Sequence, residues 1–194
     1  MTESEIAGKK KEIRSRVLAL RDGLTAEDRK RASVLLTERI LGHQWFYRSD
    51  VLLGFASYGS EIDTGEILQE ALRLGKQVYL PRVVQADEGV MGFYRIGSMA
   101  DLRPGYKGIP EPADSGREYC YSIGHAAHTL MMMPGAVFDG YRNRIGYGKG
   151  FYDRYLADKE ELQLRTIGIG FRCQVVEEIP CGRQDIRPCQ VICV

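Results

Sequence analysis

Apolar and polar positions along the chain fall into blocks that switch between a helical and an extended period. Ile13, Val17 and Leu20 are spaced i, i+4, i+7 and predict an amphipathic helix over residues 4–22 with a narrow apolar stripe. Lys10 and Arg14 project in nearly the same direction, because about 100° separates successive helical residues, and with Arg21 they border that stripe. Such a basic edge is either a solvated face or a pair of arms able to reach an anion. Thr25 with Asp28 predicts the cap of a second helix, which carries Leu35, Leu36, Ile40 and Leu41 and stops at Gly42. The two helices are expected to form an N-terminal hairpin.

The run VLLGFA at 51–56 is short, continuous and apolar, as in a strand covered on both faces. It leads into Ser57–Glu61. Asp63 with Glu66 predicts another cap, for a helix bearing Ile67, Leu68, Ala71 and Leu72 and ending at Gly75. Gln77–Leu80 then reads as a second strand, halted at Pro81. A strand, helix, strand unit implies a right-handed crossover and a parallel sheet, whose ligands gather beyond the carboxyl ends of the strands. Glu61 lies in such a loop, where it is either a working acid or a solvated one. Downstream, MGFYRI is a candidate strand, RPGYKGIPEPADSG is rich in turn residues and expected to cover a sheet edge or a site, and TLMMM at 129–133 reads as a buried strand with methionines as core filler. RTIGIG at 165–170 and QVICV at 190–194 complete the strands. The expected fold class is α/β, a single domain over 1–194 with a mostly parallel central sheet flanked by helices on both faces.

Composition changes this picture mainly by exclusion. Lys and Arg number 27 against 26 Asp and Glu, a net charge of +1, so no global basic field points to nucleic acid or a membrane surface. No window approaches the roughly 20 apolar residues of a membrane span, and the polar, acidic first residues do not resemble a signal or transit peptide. A cytoplasmic location and a monomer are the expectations. The 5 cysteines include no C-x-x-C pair or zinc-finger spacing and are expected to be reduced thiols.

The chemistry concentrates in PGAVFDGYRNRIGYGKGFYDRY at 134–155. Gly146, Gly148 and Gly150 alternate with Tyr147 and Lys149, Arg142 and Arg144 precede them, and Asp153 follows where a helix is expected over 152–160. Glycines allow successive main-chain N–H groups to converge on an anion near a helix N-terminus. Phosphate binding and a purely structural glycine turn both remain open at this level. The stretch is no Walker A motif, since Lys149 is followed by Gly150, and G-x-G-x-G is no dinucleotide fingerprint. KGFYDRY begins like an RNA-recognition signature but has Tyr152 and Asp153 at positions that break it. Asp153 suits either a helix dipole or Mg²⁺ beside phosphate.

The same segment strongly resembles the signature of 5-formyltetrahydrofolate cyclo-ligases, also called 5,10-methenyltetrahydrofolate synthetases: P-G-x-x-F-D followed by R-x-G-x-G-x-G-[YF]-Y-D. The resemblance extends to Lys10 and Arg14, Glu61, Pro81–Arg82, the G-I-P-E-P run from Gly108 and the late acid Asp185. It implies ATP binding by Lys10, Arg14, Arg144, Ile145, Gly146, Tyr147, Gly148, Lys149, Gly150, Phe151 and Tyr152. Reduced folate would be bound by Ala56, Glu61, Tyr147, Gly148, Lys149, Gly150 and Phe151, and Mg²⁺ by Asp153 and Asp185. Glu61, Arg144 and Lys149 are the implied catalytic residues. The implied reaction converts 5-formyltetrahydrofolate to 5,10-methenyltetrahydrofolate as ATP becomes ADP and phosphate, through a phosphorylated imidate captured by N10. Phe151 stands where Tyr is common, and Cys189 where the family often has another Asp. A non-catalytic folate or nucleotide carrier and an RNA-binding protein are the competing classes.

Overall fold

The computed structural model describes residues 1–113 and 117–194, so the Asp114–Gly116 part of the turn-rich stretch lies outside the described residues. Two helices open the chain. α1 (Glu3–Asp22) starts at a capping box between Thr2 and Glu5, and α2 (Ala26–Leu41) starts where the Thr25 side chain accepts the Asp28 N–H. Val17 is buried as the period requires, but Leu20 is 57% exposed and Arg21, four residues after Val17, is buried instead. α1 rests on a small second sheet, whereas α2 packs with α3 (Gln44–Arg48) and α4 (Gly65–Arg73).

The central sheet is built from β1 (Val51–Leu53), β2 (Gln77–Gln85), β3 (Val90–Ile96), β6 (Thr129–Pro134), β9 (Thr166–Gly170) and β11 (Gln190–Cys193). Its order is β11-β9-β6-β1-β2-β3, parallel throughout except for the antiparallel edge pair β2–β3. Successive residues face opposite sides of the sheet. Leu52, Val78, Leu80, Leu130, Met132, Ile167 and Ile169 therefore meet α2, α3 and α4 in one core. Leu53, Tyr79, Met131 and Met133 meet Leu156 and Leu162 in the other, from α6 (Phe151–Leu156) and α7 (Glu160–Gln163). The triple methionine is core filler on both sides.

Three expected boundaries moved. β2 does not stop at Pro81. The Tyr79 carbonyl accepts the Gly54 N–H at 2.9 Å, and two residues on the Pro81 nitrogen faces the same side after β1 has ended, so its missing donor leaves no ladder bond unmade. The helix expected at Asp63 begins at Gly65; Asp63 Oδ1 still accepts the Gly65 N–H at 2.8 Å, while the Thr64 hydroxyl donates to the Phe55 carbonyl. The helix expected over 152–160 is broken into α6 and α7 at Ala157–Lys159.

Two further strand sets were not legible as such. β7 (Val137–Asp139) and β8 (Arg144–Ile145) form an antiparallel hairpin, joined by β10 (Val175–Val176) in a second sheet. β4 (Leu102–Pro104) and β5 (Pro110–Pro112) form a two-stranded ribbon beside β2, and a short helix, α5 (Ile123–Ala126), precedes β6. The F-D pair of the signature builds this second layer. Asp139 accepts four hydrogen bonds, from the Tyr141, Asn143 and Ile179 N–H groups and the Asn143 side-chain amide, at 2.7–2.9 Å. Phe138 is fully buried against Gly135, Gly168 and Gly170. A Cβ at position 168 would stand 2.6 Å from the Phe138 ring, so Gly168→Ala is expected to lose about 1–3 kcal/mol by overpacking. Adding Phe138→Leu should recover part of that loss in urea denaturation; a Gly168→Ala midpoint equal to wild type would contradict this packing account.

Candidate active site

The carboxyl ends of β1 and β6, and the stretch of β2 that continues past β1, open onto a cavity of about 710 Å³. Its floor and walls come from four places: the β1 exit (Phe55, Ala56, Tyr58–Glu61), the β2–β3 edge (Pro81, Val83, Met91), the ribbon and its 3-10 turn (Tyr106, Lys107, Ile109, Pro110, Glu111), and the glycine loop with the start of α6 (Gly146, Tyr147, Lys149–Asp153). Arg21 of α1 and Arg144 of β8 close it from below.

Arg144 organises the loop. Its side chain is only 3% exposed; it donates to the Pro134 carbonyl at the end of β6 (3.2 Å) and to both carboxylate oxygens of Asp153 in α6 (3.2 Å each). The guanidinium also lies 5.5 Å from the Tyr152 ring centroid. Between these anchors the chain turns through Gly148 (φ +103°) and Gly150 (φ +65°), conformations that L side chains rarely adopt. Gly150 precedes the first residue of α6. The Arg144 Nε–H and the Tyr152 hydroxyl are buried at this wall without a hydrogen-bond partner among the described residues.

Glu61 is fixed in a chain of polar contacts at the same cavity. The Tyr147 hydroxyl donates to Glu61 Oε1, the Tyr58 N–H donates to Oε2 at 3.0 Å, and Arg21 donates to the Tyr147 oxygen at 2.7 Å and to the Ser60 hydroxyl at 3.0 Å. Burial pushes the Glu61 carboxyl above its ordinary range, and the Tyr147 and Tyr58 hydrogen bonds and the Arg21 charge only partly offset this. Desolvation likewise raises the Tyr147 and Tyr152 phenols, so both act as neutral hydrogen-bonding groups.

The cavity brings together Ala56, Glu61, Arg144, Gly146, Tyr147, Lys149, Gly150, Phe151, Tyr152 and Asp153 from the expected set. Ile145 instead turns into the core beneath α1. Gly148 faces away, toward the Arg14 guanidinium, which would lie 3.6 Å from a Cβ there. Lys10 is ion-paired with Asp185, which also accepts the Gly182 N–H at 2.6 Å. Asp153 accepts the Ile186 N–H at 3.1 Å besides Arg144. Among the described residues no three His, Cys, Asp or Glu side chains gather as a metal cage. Sequence reasoning did not place Arg21, Tyr58, Tyr106 or Glu111 at the site. Arg21 carried a signal, since it lies four residues after Val17 on the buried stripe; the others come from loops without a period.

Comparison with known proteins decides the family. The sequence profile of the 5-formyltetrahydrofolate cyclo-ligase family matches residues 6–194. The chain belongs to the 5-formyltetrahydrofolate cyclo-ligase family. A mouse protein named 5-formyltetrahydrofolate cyclo-ligase is 30% identical over 192 residues, covering 95% of this chain and 91% of that protein. The NMR structure of a 5,10-methenyltetrahydrofolate synthetase from Aquifex aeolicus superposes with a TM-score of 0.77 at 30% identity, over 92% of this chain and 86% of that one. A Mycoplasma pneumoniae synthetase, 16% identical, shares the fold with a TM-score of 0.69 over 94% and 97%. Membership in the cyclo-ligase family makes this chain an enzyme of the ligase class. Among the described residues no helix is long and apolar enough to cross a membrane.

The desolvated, half-buried Glu61 gives this chain a pH signature. An acid whose folded pKa is raised keeps its proton to higher pH when folded; its contribution is fully present below the unfolded value, near 4.3, and is lost as pH rises through the folded pKa. Glu61→Gln removes that loss. The melting temperature of the variant should therefore gain on wild type as pH rises from about 4.3, and a difference that stays flat or falls would show that Glu61 is not desolvated.

Proposed function

We propose that the cavity binds 5-formyltetrahydrofolate beside ATP and closes the folate to 5,10-methenyltetrahydrofolate, releasing ADP and phosphate. The observation that carries this reading is one cavity, in a cyclo-ligase chain, lined by the cations Arg144 and Lys149 and by Glu61, which Tyr147 and Arg21 hold in a hydrogen-bonded chain. A formyl oxygen is a poor leaving group. Its attack on the γ-phosphorus displaces ADP and leaves a phosphorylated imidate at N5; N10 then attacks the formyl carbon, the C–O bond breaks, and phosphate departs with the oxygen.

Phosphoryl transfer requires positioning and neutralisation of oxygen charge more than covalent chemistry. Arg144, whose Nε–H has no acceptor among the described residues, and Lys149 would hold the phosphoryl oxygens, with Gly146–Tyr152 shaping the loop around them. Lys10 and Arg14 would hold the outer side of the nucleotide, Arg14 from behind Gly148. Ala56 and Phe151 would flank the folate. Glu61, desolvated and aimed by Tyr147, suits the proton that leaves N10 as the ring closes.

Mg²⁺ fits this donor set only as an ion shared with phosphate. Asp153 and Asp185 already carry Arg144 and Lys10, and no third acidic ligand joins them among the described residues. Mg²⁺ is commonly held by one or two carboxylates plus substrate phosphates and water, so these two carboxylates would hold it and its charge would offset that of the phosphates. No protein nucleophile is needed, and trapping a phosphorylated or acylated side chain during turnover would contradict the scheme.

Protein, Mg²⁺, ATP and 5-formyltetrahydrofolate should yield methenyl absorbance and ADP in equal amounts. Absence of both would sink the proposal, and ADP alone would mean another acceptor. In the same assay Lys149→Ala should lower kcat by about 10²–10³-fold, the usual loss when one contact to developing charge is removed. Glu61→Gln should cut turnover more than ATP binding; an unchanged rate would reject its role with N10.

A further inference from the structure

The glycine loop is gripped from its outer side as well. Arg154 follows Asp153 on α6 and does not line the cavity. Its Nη2 donates to the Lys149 carbonyl in the loop, and its Nε–H donates at 3.3 Å to the Gly89 carbonyl, in the turn between β2 and β3. Gly89 takes φ +68° and presents no side chain there; a Cβ at that position would overlap the guanidinium. One side chain thus joins the glycine loop to the strand pair that supplies Val83 and Met91 to the cavity.

These contacts fix the direction of one peptide. The Lys149–Gly150 bond is trans, so its N–H points opposite to its carbonyl. Arg154 draws that carbonyl to the outer side of the loop. Lys149 and Gly150 themselves line the cavity, which leaves the Gly150 N–H turned inward, and it has no hydrogen-bond partner among the described residues. Rotating this peptide changes ψ of Lys149 and φ of Gly150, and glycine populates both signs of φ. The loop's own backbone therefore holds this orientation weakly. The guanidinium holds it firmly, because a cationic donor stands on one side only.

We propose that Arg154 is a positioning residue for phosphoryl transfer: it latches the Lys149 carbonyl outward and so presents the Gly150 N–H to the phosphoryl oxygens. This rests on the functional reading above. A donor already aimed at developing charge costs no reorganisation when that charge forms. Without the latch the same N–H is present but aimed only part of the time, so the loss falls on turnover more than on folate binding. The alternative role for Arg154 is structural, as a brace between α6 and the β2–β3 turn that affects stability and leaves kcat alone.

Steady-state kinetics and the Gly150 amide signal test this together. Arg154→Ala should lower kcat by about 10–100-fold, less than outright removal of such a donor, and keep the KM for 5-formyltetrahydrofolate within about threefold. Gly89→Ala leaves the arginine in the chain but pushes its guanidinium aside. It should lower kcat by a similar factor, and the double variant should lose no more than Arg154→Ala alone. In NMR spectra of wild type, a non-hydrolysable ATP analogue with Mg²⁺ should shift the Gly150 amide proton, and Arg154→Ala should shrink that shift at saturating analogue. If Arg154→Ala does not fold, Gly89→Ala decides by the same two readings. A kcat equal to wild type in either single variant, losses that multiply in the double variant, or an undiminished Gly150 shift overturns the latch. Wild type that forms no methenyl product brings down the functional reading and the latch with it, whereas active wild type with an indifferent Arg154→Ala brings down the latch alone.

Discussion

The buried contact set of Arg144 is the constraint on which the active site depends. One guanidinium bridges the end of β6, through the Pro134 carbonyl, to the first turn of α6, through both oxygens of Asp153, and packs over the Tyr152 ring. The glycine loop is the chain left between those two anchors. Burying a guanidinium to 3% exposure is costly without close partners, and removing one partner of such a pair when fully buried typically costs about 3–5 kcal/mol. The loop is thus shaped by a cation that the fold must bury in any case. The same cation retains a donor, Nε–H, without an acceptor among the described residues.

From that anchor the loop reaches Tyr147, which couples the glycine loop to the β1 exit and to α1. Tyr147 donates to Glu61 and accepts from Arg21, so β8, the β1 exit and α1 meet at one phenol. Burying Arg21 on α1 in place of Leu20 makes sense in this light. An apolar residue at that helical position would pack equally well, but it would leave the Tyr147 oxygen without its cationic donor and Glu61 without a compensating charge. Glu61 and Glu111 are both held above their ordinary range by burial. Desolvated acids at a cavity wall reduce stability in the free protein and gain strength as hydrogen-bonding or proton-accepting groups toward a ligand.

The antiparallel edge is what widens a parallel sheet into the cavity. β2 continues past the end of β1, pairs only with β3 there, and passes through Pro81 without an unpaired donor. The β4–β5 ribbon then packs on this free stretch and carries Tyr106, Ile109 and Glu111 over the carboxyl ends of the strands. In an all-parallel sheet with strands of equal length that space would be open solvent.

Local chemistry in the sequence was enough to determine the elements whose cause is local. Thr25 caps α2 because its hydroxyl reaches an N–H three residues on, the continuous apolar runs at 51–53, 129–133 and 166–170 became buried strands, and the glycine loop had to turn where Gly148 and Gly150 take positive φ. The signature carried the family as well. What required the tertiary structure was everything set by partners distant in the chain: that β2 runs through Pro81 because β1 has already ended, that Ile145 faces the core while Gly146 faces the cavity, that Lys10 meets Asp185, and that Arg21 and Glu111 join Glu61 at one site. A cap or a turn is decided within a few residues. A cavity wall is decided by which strands neighbour one another, and no period in the sequence encodes that order.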